Sequence, residues 1–251
     1  MTVPEGTENA SMMFNATVEP VGEANRVIVA FDRNEAKTAV ARGRVTVDGI
    51  SARSPEQKVT RGADIRLDGI PVDTSPFLYI MLNKPAGYVC STEDGDGPTV
   101  LDLLAGPDIR RGLFPAGRLD KDTVGLLILT NDGASAHRWL SPKRHVEKRY
   151  FFRCARPLDE AAIAALERGV DIGGLLTKPA HLTAEIGGTE GKITITEGKF
   201  HQIKRMFTAV GNGITFLERI CFAGLPLDPA LPRGGYRRLT DTEIRKLINP
   251  K

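Results

Sequence analysis

The chain has 251 residues, of which 26% are charged and 41% apolar, with a formal net charge of +3. That length can bury a substantial core, and the composition is close to the soluble average, so a folded globular protein is expected. No stretch approaches the roughly 18 uninterrupted apolar residues that a membrane span requires.

The first 25 residues hold no Lys or Arg and no apolar run, so they lack both parts of a secretory signal and read as the loose tail of a cytoplasmic protein. Cys90, Cys154 and Cys221 lie far apart, without a CxxC pair or a histidine at zinc-like spacing. Neither a disulfide framework nor a metal site is expected, and the three read as buried thiols.

Between Arg26 and Arg66 nine basic residues face five acidic ones. Within this segment "DRNEAKTAVARG" predicts a short helix: an Asp cap, Glu at the third helical position, apolar residues at helical spacing and a Gly stop. "RVTVDG" and "ADIRLDG" predict alternating strands, each closed by Asp-Gly. A basic helix-and-hairpin module is a common form of RNA-binding appendage, although charge alone fits a solvated face equally well. "GIPVDTSP" carries two prolines, a Gly and small polar residues, which mark a domain boundary.

Beyond it, "FLYIMLN" predicts a buried strand, "STEDGDGPT" a loop, "VLDLLAG" a short helix and "LLILT" a second buried strand. "ASAHRWLSP" predicts a helix that follows the capping residues "TND" and stops at Pro142. "KRYFFRCAR" reads as a basic strand, "LDEAAIAALERG" as an amphipathic helix ended by Gly, "GKITITEG" as an alternating strand and "FHQIKRMFTAVG" as a helix. In "LTDTEIRKLI", Thr240 and Glu243 are placed to form a capping box. Helices and strands interleave without a βαβ repeat or a Gly-rich dinucleotide loop, which favours an α+β fold.

The densest chemistry lies in "AGRLDKDTVGLLILTNDG". Asp120 to Val124 matches the DxDx(T/V) spacing of aspartyl-phosphate enzymes, but those place the apolar strand before the first Asp, and here it follows. Calcium-loop readings of "DKDTVG" and "DGDGPT" lack the twelfth-position Glu and the flanking helices. What remains is a loop-borne Asp120 just ahead of a rigid strand, suited either to nucleophilic work or to a turn paired with Arg118.

"PAGRLDKDTVGLLILTNDG", "YIMLNKPAGYVCSTED", "SPKRHVEKRY" and "EGKFHQIKRMFTAVGN" together resemble the RsuA-type family of ribosomal-RNA pseudouridine synthases in order and spacing, from about Phe77 to the C-terminus. The preceding module resembles the S4-type RNA-binding domain, with its usual first helix represented only by "ANRVIVAF". The resemblance implies a tail at 1–24, an S4-like domain at 25–70, a linker at 71–76 and a catalytic domain at 77–251 built on a mixed, mostly antiparallel sheet.

It also implies a cast of residues. Asp120 matches the nucleophile, Tyr150 the aromatic residue that packs on the target base, and Lys204 the basic partner of the aspartate. Arg118 lies where the family holds the aspartate loop. Phe200, His201 and Gln202 fall in the pocket wall, and Arg33, Lys37, Arg42, Arg44, Lys148 and Arg205 are expected to bind RNA. Lys143, Arg144, Arg149 and Arg153 join Lys148 in a second basic cluster beside Tyr150.

Isomerising uridine needs no cofactor, and neither cofactor nor metal is expected. A flipped uridine stacked on an aromatic face and a carboxylate kept ionised by a cation suit this chemistry. "HQIKRM" is similar to family members that act on small-subunit (16S) rRNA, which implies uridine 516 as the target. A 23S rRNA uridine is the alternative, and a non-catalytic ribosome-assembly factor is the rival from another class. The expected partner is ribosomal RNA, with no membrane and a monomeric protein.

Overall fold

The computed structural model describes residues 33–248, except 61, 73–74, 76, 92–96 and 106–111. The expected tail, the "ANRVIVAF" segment, the Asp32 cap and the acidic turn at 94–96 lie outside the described residues. The chain divides into two compact units, one made of Met1–Pro76 and Ala105–Arg111 and the other of Phe77–Leu104 and Gly112–Lys251.

In the first unit, helix α1 (Arg33–Ala41) turns Ala36, Ala39 and Val40 inward at helical spacing. Strands β1 (Val45–Val47), β2 (Ile50–Ser51), β3 (Ile65–Leu67) and β4 (Ile70–Pro71) form an antiparallel sheet in the order β2-β1-β3-β4. Both hairpins turn at Asp-Gly pairs with positive φ, 50° and 79° at Asp48-Gly49 and 50° and 82° at Asp68-Gly69. Such a turn matches the twist of the flanking strands. Val45, Val47, Ile65 and Leu67 close a small core with the helix.

The second unit is built on one sheet. Its strands are β5 (Tyr79–Lys84), β6 (Phe114–Pro115), β7 (Val124–Thr130), β8 (Lys148–Cys154), β9 (His181–Ala184), β10 (Glu190–Ile195), β11 (Ile214–Phe222), β12 (Leu225–Pro226) and β13 (Tyr236–Arg238). The order along the sheet is β13-β5-β7-β11-β8-β10-β9, with β6 pairing β7 and β12 pairing β11. Pairing is antiparallel except between β7 and β11. The helices are α2 (Gly133–Leu140), α3 (Glu160–Arg168), α4 (Gln202–Ala209) and α5 (Asp241–Ile248).

All seven residues of β7 are buried, which explains its unbroken apolar run. Leu127 and Leu129 join Leu166 of α3 and Ile203, Met206 and Phe207 of α4 in one core, whereas Leu126 and Ile128 join Trp139 of α2 and Leu247 of α5 in another. A strand covered on both faces has no polar side to present.

The expected cap at Asp132 and the expected box at Thr240 and Glu243 are made, and Asp159 adds a cap the sequence reading did not name. The Asp132 and Asp159 side chains accept from Ser135 N and Ala162 N at 3.0 and 2.7 Å, and Thr240 and Glu243 form the reciprocal box at 2.8 and 3.3 Å. "VLDLLAG" is shorter than expected, a 3-10 turn over Val100–Leu103. Strand β11, central to the sheet, was not anticipated, because Glu218 and Arg219 interrupt its apolar pattern.

Candidate active site

The site begins at a turn. The Asp120 carbonyl accepts from Thr123 N at 3.1 Å, closing the four residues that lead into β7. Gly125, φ +98°, then lies in register with Arg219 of β11. A Cβ there would sit 2.4 Å from the Arg219 carbonyl oxygen, so the close approach of the two parallel strands requires glycine.

Lys84, at the end of β5, holds this turn from behind. Its side chain is fully buried, and Nζ donates to the carbonyls of Pro85, Asp120, Lys121 and Thr123 at 3.1, 3.1, 3.2 and 2.9 Å. Burial pushes the Lys84 pKa down, against the charges of Asp122 and Asp120 among others. Gly87 N donates to the Lys121 carbonyl at 2.8 Å and Leu119 N to Cys90 Sγ at 3.3 Å. The segment after β5 is therefore a bracket for the Asp120 turn.

The Asp120 carboxylate opens on a cavity of about 520 Å³. Lys204, on α4, approaches Asp120 Oδ2 at 3.2 Å and Asp122 Oδ1 at 2.5 Å. Burial works to lower the Lys204 pKa, but the hydrogen bonds and charges of the two aspartates outweigh it and raise it. Asp122 shows the converse: burial opposes its ionisation, and Lys204 overrides that to hold its pKa low. His201 Nε2 lies 3.5 Å from Asp120 Oδ1. His201 adopts the left-handed conformation, φ 48° and ψ 35°, just before α4. Its ring stacks on Phe200, centroids 3.7 Å apart and planes at 19°. Phe200 is 74% exposed, so one aromatic face is left to solvent at the cavity edge.

The inner wall comes from β8 and β11. Tyr150 is buried, lines the cavity and is the register partner of Arg219. Lys148 also lines it, donating Nζ to the Val146 carbonyl at 2.9 Å. Burial, then the neighbouring Arg219 charge, pull the Lys148 pKa down to about 8, with Glu197 opposing.

Of the residues singled out from sequence, Asp120, Tyr150, Lys204, Arg118, Lys148, Phe200, His201 and Gln202 all meet at this cavity. Three residues named from the sequence play other parts than expected. Arg118 is exposed on the wall, and among the described residues the Asp120 carboxylate is met by Lys204 and His201 instead. Gln202 is buried, and its amide bridges Lys199 N at 2.9 Å and Glu197 Oε1 at 2.7 Å, which fixes the wall and leaves little for a ligand. Arg205 turns away to the carbonyls of Ile172 and Phe200. Asp122 does more than shape the turn, because it shares Lys204 with Asp120.

In the first unit, Lys37, Arg42 and Arg44 are exposed, and Arg44 is paired with Asp68 across the hairpins. Arg33 opens α1, with its side chain outside the described atoms. In the second unit Arg149, Arg153, Lys143 and Arg144 are exposed, whereas Lys148 is drawn inward. Among the described residues no cluster of His, Cys, Asp or Glu could hold a metal ion, and no helix is long and apolar enough to cross a membrane.

Two residues escaped the sequence reading, Lys84 and Arg219. The signal for each was present: a charge placed within or ending a buried strand must find partners inside the fold.

The chain matches the RNA pseudouridylate synthase family over residues 78–209. It is 46% identical to the uncharacterized RNA pseudouridine synthase YtzG of Bacillus subtilis (strain 168), over 87% of this chain and 94% of the relative. It is 44% identical to the ribosomal small subunit pseudouridine synthase A of Escherichia coli (strain K12), over 82% of this chain and 89% of the relative. A solved structure titled as that of a pseudouridylate synthase superposes with a TM-score of 0.65 at 38% identity, covering 85% of this chain and 93% of the other.

Proposed function

The chain belongs to the RNA pseudouridine synthase family of isomerases, and from this we propose that it converts uridine 516 of 16S rRNA to pseudouridine. The observation that carries the reading is the Asp120–Lys204 pair, 3.2 Å apart at the mouth of a cavity walled by buried Tyr150. The 16S target is supported by the 44% identity to a small-subunit enzyme.

In this mechanism Asp120 is the reactive carboxylate, oriented by Lys204 and faced by His201. The uridine leaves the RNA stack and enters the cavity, where the Tyr150 ring packs against the base. The C1′–N1 bond breaks, the uracil turns, and C5 bonds to C1′ while N1 takes a proton and C5 gives one up. No redox change occurs. The exposed face of Phe200 stacks on a base next to the target, and the S4-like first unit and the exposed cations around Arg149 follow the RNA backbone.

The test is a map of pseudouridines in 16S and 23S rRNA from cells lacking the gene, complemented with wild type or Asp120→Asn. We expect one 16S site to vanish, to return with wild type and to stay absent with Asp120→Asn. Loss confined to 23S rRNA would move the target. Persistence of every site would remove the rRNA assignment, and full rescue by Asp120→Asn would remove the nucleophile.

A further inference from the structure

The described residues at the inner end of the cavity hold cations that no carboxylate hydrogen-bonds. Arg219 is 2% exposed, lines the cavity and is the register partner of Tyr150, yet the hydrogen bond it makes is from Nε to the Leu126 carbonyl at 2.7 Å. Nη2 is buried with no hydrogen-bond partner. The guanidinium carbon lies 5.2 Å from the Phe222 ring centroid, over which Lys148 Nζ also sits at 5.9 Å. The register of β11 against β8 shifts between Arg219 and Cys221, a bulge of the kind that re-aims a side chain beside a site. A buried charged donor left open costs stability unless something accepts from it, and a ligand that enters the cavity Arg219 lines can supply that acceptor.

We propose that Arg219 contacts the substrate, turning its open guanidinium edge to a carbonyl oxygen of the target uracil and holding the negative charge the ring takes as the C1′–N1 bond breaks. The inference rests on the function proposed above. The electron pair of that bond leaves with N1 and spreads onto O2 and O4, while the sugar carbon becomes electron-poor beside the Asp120 carboxylate. As the C5–C1′ bond forms, C5 releases its proton, N1 is protonated, and the ring is neutral again. The negative charge exists only in passage, so a fixed cation in a water-poor pocket favours the transition state over the bound uridine. A phosphate group is the poorer fit. It would have to bring a permanent charge to the bottom of the cavity, whereas the exposed cations lie at the surface of the unit.

The experiment compares wild type, Arg219→Gln and Arg219→Lys in single-turnover cleavage of the C1′–N1 bond in an rRNA fragment carrying uridine or 5-fluorouridine at the target. Fluorine replaces the C5 hydrogen, so the fluorinated ring has no C5 proton to release and this first step is the one compared. Fluorine withdraws electrons from the ring, so its departure needs less help. We expect Arg219→Gln to lose about 100-fold in rate on uridine, with RNA affinity unchanged and a clearly smaller loss on 5-fluorouridine. Arg219→Lys, which keeps the charge, should fall between. Equal losses on both substrates mean a structural role and overturn the proposal; so do an unchanged rate, or weakened binding at a normal rate, the mark of a phosphate contact. Should both variants fail to fold, the Arg219 Nε–H resonance of the wild-type protein decides. A shift on binding the 5-fluorouridine RNA is expected, and no shift overturns the proposal. Failure of wild type to convert any rRNA uridine would instead overturn the proposed function.

Discussion

The rim and the floor of the cavity carry the same kinds of side chain in opposite electrostatic states. At the rim, Lys204 is matched by Asp120 and Asp122, which together push it toward its charged form, as Lys204 does Asp122. At the floor Lys148 and Arg219, with Lys84 behind the Asp120 turn, are buried or half-buried and make their described hydrogen bonds to carbonyls. Two of them show the cost, since burial lowers the pKa of both lysines. A neutralised rim positions a carboxylate. An uncompensated floor is set up for a negative charge that arrives with the substrate.

The contrast can be broken from either side. The largest effect should follow Lys84→Met, which removes three hydrogen bonds from the Asp120 turn. Misplacing a reactive group by about 1 Å costs about 100-fold, so kcat should fall by about that factor while RNA affinity holds. A normal single-turnover rate in a folded variant would show that the turn is held without Lys84.

Phe200→Ala tests the rim alone. It leaves the charges in place and removes the exposed stacking face, so KM should rise about tenfold with kcat little changed, in line with the worth of one stacked base. A drop in kcat at constant KM would mean that Phe200 acts through His201 and Asp120.

The smallest effect is a pH dependence from the floor. The Lys148 pKa is near 8 in the folded protein against 10.5 for a free lysine, because of burial first and Arg219 second. Between those values the unfolded chain holds more protons, so stability rises with pH through this window, by up to about 1.4 kcal/mol per pH unit. Below pH 8 the penalty is constant. Denaturant unfolding from pH 7 to 10.5 should show a shallower rise for Lys148→Met than for wild type, and parallel curves would remove Lys148 from the uncompensated floor.

How much of this was legible beforehand follows from the range of each contact. Asp120 stood out because its turn, its apolar strand and its Asp132-capped helix are consecutive in the chain, so local pattern describes them. The Asp48-Gly49 and Asp68-Gly69 turns and the Thr240–Glu243 box were legible for the same reason. Lys84 was not, because its partners lie 36 to 39 residues away. Nor was Arg219, which bonds Leu126 across 93 residues and sits in a strand whose charged residues hid it. The expected tether, Arg118, is beside Asp120 in sequence but exposed, whereas Lys204, which the resemblance implied as the partner, does meet the carboxylate from α4.

By itself the sequence determined the helices, the buried strands β5 and β7, the α+β class and the turn that presents Asp120, since periodicity, caps and turn residues act over a few positions. It also carried the family in its motifs. Only the tertiary structure decided that Asp122 shares Lys204 and which cations stay without a carboxylate partner beneath it. Charge pairing and burial depend on distances through space, and those exist only once β7, β8, β11 and α4 are brought together.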